Sequence, residues 1–227
     1  MKSSQLIRVV GPPRSGTNLT KYLIDIFSSV LAGFDIGCWK HAPINKGLLP
    51  NDSFFSIPTI VMYRSYKSQL ASLYKLSLEN AVSFQADTNP TKFVNSCVVM
   101  STPSRKLNLS FKSPIDYLLQ YYSSALSFRP SRIHFLSLED ILLNPSIIKS
   151  ILKKEFSNVE FYSEISLPSS YLARNSDYDF NQGNCFNKTT SVEREKIRSF
   201  KLFNTLSITP LELSPLIKIY ESLQYNK

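Results

Sequence analysis

Cysteine is scarce and long apolar runs are missing from this chain of 227 residues. Its three cysteines, Cys38, Cys97 and Cys185, lie far apart, matching neither a paired disulfide framework nor the close spacing of a zinc site. Reduced thiols are the expectation. Met1 leads almost directly into Leu6-Ile-Arg-Val-Val10, with no stretch apolar enough for a signal peptide or a membrane anchor. A soluble, cytoplasmic protein without a membrane span is therefore expected. Runs of five or six basic residues are also missing, and the lysines and arginines are scattered, which argues against a dedicated nucleic-acid stripe. There is no internal repeat and no low-complexity tract.

The composition that is present is ordinary for a globular domain: 43% hydrophobic and 19% charged residues, far from the balance that leaves chains disordered. At this length one core is the default, so a single domain over 1–227 is expected. A net charge of +9 favours anionic partners, a phosphorylated cofactor or an acidic glycan among them.

Hydrophobic periodicity sketches the order of elements. Residues 6–10 read as a strand, and Leu19, Leu23, Ile26, Phe27 and Val30 then fall at helical spacing over 17–31. A second strand is expected over 33–39, and a third over 58–63. That third strand passes into a helix over 65–77 carried by Leu70, Leu73, Tyr74 and Ser77. Residues 78–112 are polar and weakly periodic, which suggests an active-site loop. A helix from Pro114 to before Pro130, a strand over 132–137 and a helix over 145–156 continue the alternation. Beyond Pro168 a polar stretch over 171–190, a second candidate loop, precedes two helices over 191–203 and 210–223. Such alternation predicts a three-layer α/β fold of P-loop type, with a central, mostly parallel sheet flanked by helices.

The sharpest local signal is Gly11-Pro-Pro-Arg-Ser-Gly-Thr-Asn18, placed between a strand and a helix. Exposed backbone N–H groups and the positive helix end make such a turn an anion site. Gly16 lets the backbone approach closely, Ser15 and Thr17 add hydroxyl donors, and Arg14 supplies a planar fork suited to phosphate or sulfate oxygens. A nucleoside triphosphate kinase would want Gly-x4-Gly-Lys-Ser/Thr. Here Thr17 stands in the lysine position and the cation has moved to Arg14, which suits a different phosphate arrangement with no obligatory metal.

Pro13-Arg-Ser-Gly-Thr17 closely resembles the Pro-Lys/Arg-Ser-Gly-Thr loop of sulfotransferases that use 3'-phosphoadenosine 5'-phosphosulfate (PAPS), in which this loop binds the 5'-phosphosulfate. The resemblance implies that Arg14, Ser15, Gly16, Thr17 and Asn18 hold that part of the donor. Arg64 at the end of the third strand and Ser72, eight positions later, resemble the family's signature for the 3'-phosphate. Eight residues are about two helical turns, so both can converge on one phosphate. Lys40-His-Ala-Pro43 resembles, one residue shorter, the segment in which cytosolic members carry a catalytic histidine. His41 is then the expected general base, with Arg14 assisting catalysis, and Glu79, Asp87 or Lys40 as substitutes. His134, inside a strand pattern, is expected to pack in the core.

Two family features are missing. Asn18 and Leu19 stand where an aromatic often contacts adenine, and the C-terminal Arg-Lys-Gly-x-x-Gly segment is not present as such. Arg174, Gly183 and Lys188 lie in a polar stretch that could substitute for that segment, Lys188 as a donor-binding residue. The expected activity is sulfuryl transfer from PAPS to a hydroxyl or amine of an unidentified carbohydrate or small-molecule acceptor. A nucleotide or small-molecule kinase and a noncatalytic nucleotide- or sulfate-binding module are the alternatives.

Overall fold

The computed structural model describes residues 5–47, 56–81, 83–102, 107–127, 132–167, 170–171, 184–185 and 200–225. Four parallel strands form its centre: β1 (Leu6–Val10), β2 (Leu31–Gly33), β3 (Thr59–Tyr63) and β6 (Ile133–Ser137), in the order β2-β1-β3-β6. Successive side chains of a strand point to opposite faces, and this alternation splits the core in two. Ile7, Val9, Ile60, Met62 and Leu136 face helices α1 (Thr17–Phe27), α5 (Leu138–Leu143) and α6 (Ile147–Glu155). Val10, Val61, Tyr63 and Phe135 face α3 (Tyr66–Leu78), α4 (Pro114–Ser127) and α7 (Pro210–Tyr225). Helices on both faces of a parallel sheet are the expected three layers.

Several boundaries differ from the periodicity reading. The first helix stops at Phe27, where Ser28 turns extended and its Oγ donates to the Ile24 carbonyl. Val30 thus leads into β2, which Leu31 opens, and Ile26 lies 52% exposed. The strand expected over 33–39 is instead over 31–33, because Asp35 and Gly37 take positive φ values of 53° and 71° that extended backbone does not allow. Residues 78–112 are not an open loop. They contain a 3-10 turn at Phe93–Asn95 and an antiparallel pair, β4 (Val98–Ser101) with β5 (Asn108–Phe111). Phe84, Phe93, Val94, Val98, Met100 and Phe111 all enter the core on the α4 face. A short helix α2 (Ile44–Gly47) and an antiparallel pair of two-residue strands, β7 (Ser170–Tyr171) with β8 (Asn184–Cys185), are also present. Among the described residues no helix is long and apolar enough to cross a membrane.

This topology decides where ligands can gather. The chain leaves β1 towards β2 on one side and leaves β3 towards β6 on the other. Neighbouring strands whose connections depart in opposite directions open a crevice at their carboxyl ends. Gly11 and Arg64, the residues that follow β1 and β3, both stand there.

Candidate functional site

At the end of β1 the backbone reverses handedness twice: Arg14 has φ 67° and Gly16 φ 101°. Residues of opposite handedness in succession turn N–H groups towards a common concavity. The Ser15 N–H closes a tight turn on the Pro12 carbonyl (3.1 Å), and the first bond of α1 runs from Thr20 N–H to the Gly16 carbonyl (3.0 Å). The N–H groups of Thr17, Asn18 and Leu19 therefore precede the helical ladder. Neither a side-chain cap nor an acidic residue occupies this helix start, so its positive dipole end is left for another anion.

Ser15 is fully buried, and its hydroxyl has no hydrogen-bond partner. It lies beside Gly11, where an added Cβ would come within 2.3 Å of Ser15 Oγ. A hydroxyl held in this way costs free energy unless something accepts its proton. Gly11 is excluded from carrying a side chain by that hydroxyl and by the Met62 backbone at 2.9 Å.

Buried side chains brace the loop from beneath and from the side. Gln69, on α3, donates from Nε2 to the Pro13 carbonyl (2.8 Å), and Arg64 donates from one terminal nitrogen to the Arg14 carbonyl (3.2 Å) and to Ser72 Oγ (2.9 Å). The spacing of Arg64 and Ser72 thus does bring them together, against the loop. The side chain of Arg14 itself points outward, 47% exposed, and pairs with Glu79 beyond the last turn of α3 (2.5 Å).

On the opposite flank the segment from Trp39 to Ala42 lies against the first residue of the loop. Gly11 N–H donates to the Lys40 carbonyl (3.0 Å), and His41 Nδ1 meets the Gly11 carbonyl at 2.7 Å. A carbonyl only accepts, so Nδ1 carries the proton and Nε2 presents its lone pair. Burial first, and then the neighbouring Lys40 charge, push the His41 pKa down to about 3, against a raising contribution from the Gly11 carbonyl. The imidazole is consequently neutral at physiological pH. Lys40 reaches back to α1, its Nζ 3.5 Å from Asn18 Oδ1 and 3.8 Å from the centre of the Phe34 ring.

No protein-family model, curated protein or solved structure matches this chain. Arg14, Ser15, Gly16, Thr17, Asn18, Arg64, Ser72, Lys40 and His41 are gathered at one sheet edge. Asp87 is engaged elsewhere, its Oδ1 accepting from the Asn89 N–H (2.7 Å). His134 is half-buried and pairs with Glu155 (2.6 Å), which Arg132 also holds (2.8 Å). Arg174, Gly183 and Lys188 lie outside the described residues. Among the described residues, no three His, Cys, Asp or Glu side chains cluster as a metal site would require.

Gln69 was invisible to motif reading, although it shares a face of α3 with Ser72 at i,i+3 spacing. It lies one turn before Ser72, inside the span that Arg64 and Ser72 already define. Tyr117 and Tyr121, whose hydroxyls meet this segment from α4, carried no comparable signal.

Proposed function

We propose that the chain is a sulfotransferase that takes PAPS at the Gly11–Asn18 loop and passes its sulfuryl group to an acceptor hydroxyl or amine. The observation that carries this reading is the buried, partnerless Ser15 hydroxyl at an uncapped helix start, with Arg64–Ser72 on one flank and His41 on the other. Anion-binding loops of other chemistries share the helix start alone. A second cation-and-hydroxyl pair beside it fits a donor bearing two separate anionic groups, and a neutral imidazole fits proton removal from an acceptor.

In the proposed reaction an acceptor hydroxyl attacks sulfur in line while His41 Nε2 takes its proton. The new oxygen–sulfur bond forms as the bond from sulfur to the 5'-phosphate oxygen breaks, and the electron pair leaves with that phosphate. Charge developing on the departing oxygen is met by the loop N–H groups, Ser15 Oγ and the Arg14 fork. Arg14 must exchange Glu79 for the donor, an inexpensive move because exposed ion pairs contribute only about 0–1 kcal/mol. An anionic donor beside His41 would also raise its pKa from the low value of the free site, making Nε2 a stronger base during turnover.

Calorimetry with adenosine 3',5'-bisphosphate against adenosine 5'-monophosphate tests the donor. The bisphosphate is expected to bind more tightly, and Arg64→Ala to abolish the difference. Equal affinity for both nucleotides would refute the assignment. A transfer assay with labelled donor and a chelator present then separates sulfuryl transfer from a metal-dependent kinase reaction.

A further inference from the structure

Helix α4 touches the His41 segment through side-chain hydroxyls at three successive points. Tyr121 donates to the Lys40 carbonyl (2.8 Å), Tyr117 donates to the His41 carbonyl (2.8 Å), and Ser124 accepts from the Ile44 N–H (3.0 Å). Tyr117, Tyr121 and Ser124 fall at i, i+4 and i+7, one face of a helix. Both tyrosine side chains are fully buried and stack edge-on with each other, their ring centres 6.0 Å apart. Burial pushes both phenols well above their ordinary range, so each remains a neutral donor.

Ordinary packing does not require these hydroxyls, because a phenylalanine would fill the same volume. Each is used at the segment that borders the loop on the His41 side. The Lys40 carbonyl takes the Tyr121 hydroxyl and the Gly11 N–H together, and the Gly11 carbonyl in turn takes His41 Nδ1. The Lys40 carbonyl thus ties α4 to Gly11, and the backbone of Gly11 links that carbonyl to the imidazole.

We infer that Tyr117 and Tyr121 are positioning residues that fix the orientation and tautomer of His41, so that Nδ1 stays protonated on the Gly11 carbonyl and Nε2 keeps its lone pair. If the Lys40–His41 peptide could rotate, Nδ1 would lose its carbonyl and the imidazole would sample both tautomers. A base needs its lone pair within about 2.6–3.2 Å of the proton that it takes, and misplacement by roughly 1 Å can cost about a hundredfold in rate. The catalytic consequence rests on the sulfotransferase reading, whereas the effect on tautomer does not.

The chain has only two histidines, which makes the test direct. Long-range nitrogen–proton correlation spectra of the 15N-labelled full-length protein show each imidazole separately, His41→Gln assigns the signals, and His134 serves as the internal reference. The wild type is expected to hold one His41 tautomer at pH 7, with the proton on Nδ1. Tyr117→Phe, which removes the phenol that donates to the His41 carbonyl, is expected to give mixed tautomers with the His134 signals unmoved. Tyr121→Phe is the milder variant, because the Lys40 carbonyl keeps the Gly11 N–H, and it should fold even if Tyr117→Phe does not. A partial shift of the tautomer ratio is expected there. With a verified acceptor, both should lower kcat about ten- to a hundredfold and leave KM for the donor nearly unchanged. A single, unchanged His41 tautomer in whichever of these variants folds overturns the inference. Wild-type spectra as expected with no sulfuryl transfer would instead count against the function proposed above.

Discussion

At the residue scale, the loop separates side chains that support the fold from those that await a ligand. Ser15→Ala removes a buried hydroxyl that bonds to nothing among the described residues, so stability should stay level or rise slightly, since an unsatisfied buried polar group is itself costly. Affinity for inorganic pyrophosphate should nevertheless fall about ten- to a hundredfold, for a hydrogen bond to a charged group contributes about 1.5–3 kcal/mol. Thermal melting and calorimetry on the same preparations check both halves. Arg14→Ala should behave similarly for a different reason. Its pair with Glu79 is about half-exposed and contributes little to stability, so a melting temperature near wild type with weakened anion binding is expected. Gly16→Ala is the contrasting case. At φ 101° an added Cβ is strained, and it meets Leu138 Cδ1 at 2.8 Å. A loss of about 1–3 kcal/mol in urea unfolding is expected, with the strain the larger part because the leucine tip can move.

At the element scale, α6 is fastened to the sheet by its last residue. Glu155 accepts from Arg132 Nε and from His134 Nε2 on the approach to and within β6. Burial of Glu155 raises its pKa, but the hydrogen bonds and charges of Arg132 and His134 outweigh this and hold it below its usual 4.5. A carboxyl whose folded pKa is depressed contributes stability above the unfolded pKa and loses it as pH falls through the folded one. Glu155→Gln should therefore cost about 1–3 kcal/mol near neutrality. The gap from wild type should narrow as pH falls below about 4.5, which urea unfolding at a series of pH values would show. The 78–112 region belongs to this scale as well. Its buried aromatic residues pack against α4, so Phe84→Ala is expected to destabilise by about 3–5 kcal/mol, an effect that a solvent-exposed loop would not show.

For the molecule as a whole, acid acts on the fold through His41 as well as Glu155. The unfolded His41 takes up a proton near 6.5, whereas the folded one resists until about 3. Between those values the unfolded state binds more protons, so stability decreases as pH falls. His41→Gln, which removes the titrating group, should flatten the stability profile between pH 6 and about 4. Bound anions act in the opposite direction. A ligand that binds only the folded state adds about 2.7 kcal/mol at a hundred times its dissociation constant, so adenosine 3',5'-bisphosphate should raise the melting temperature of the wild type, and less that of Ser15→Ala.

What could be read without coordinates was what is local along the chain. The strand ending at Gly11, the glycine-bounded turn and the helix from Thr17 are contiguous, and the partnership of Arg64 with Ser72 follows from helical arithmetic over two turns. The alternation of strands and helices likewise specified a parallel sheet with helices on both faces, because crossover connections permit little else. Contacts between distant residues could not be read in this way. Arg14 turns to Glu79 rather than into the loop and sits on a backbone of positive φ, and no periodicity encodes either. Residues 78–112 lack a regular hydrophobic period because their apolar side chains reach the core from a 3-10 turn and two short strands, each too brief for a pattern to repeat. The tyrosines that grip the His41 segment lie 76 and 81 residues away from it. Only the packing of α4 against the sheet brings their hydroxyls to those carbonyls, and hydrogen bonds of that range leave no trace in local sequence.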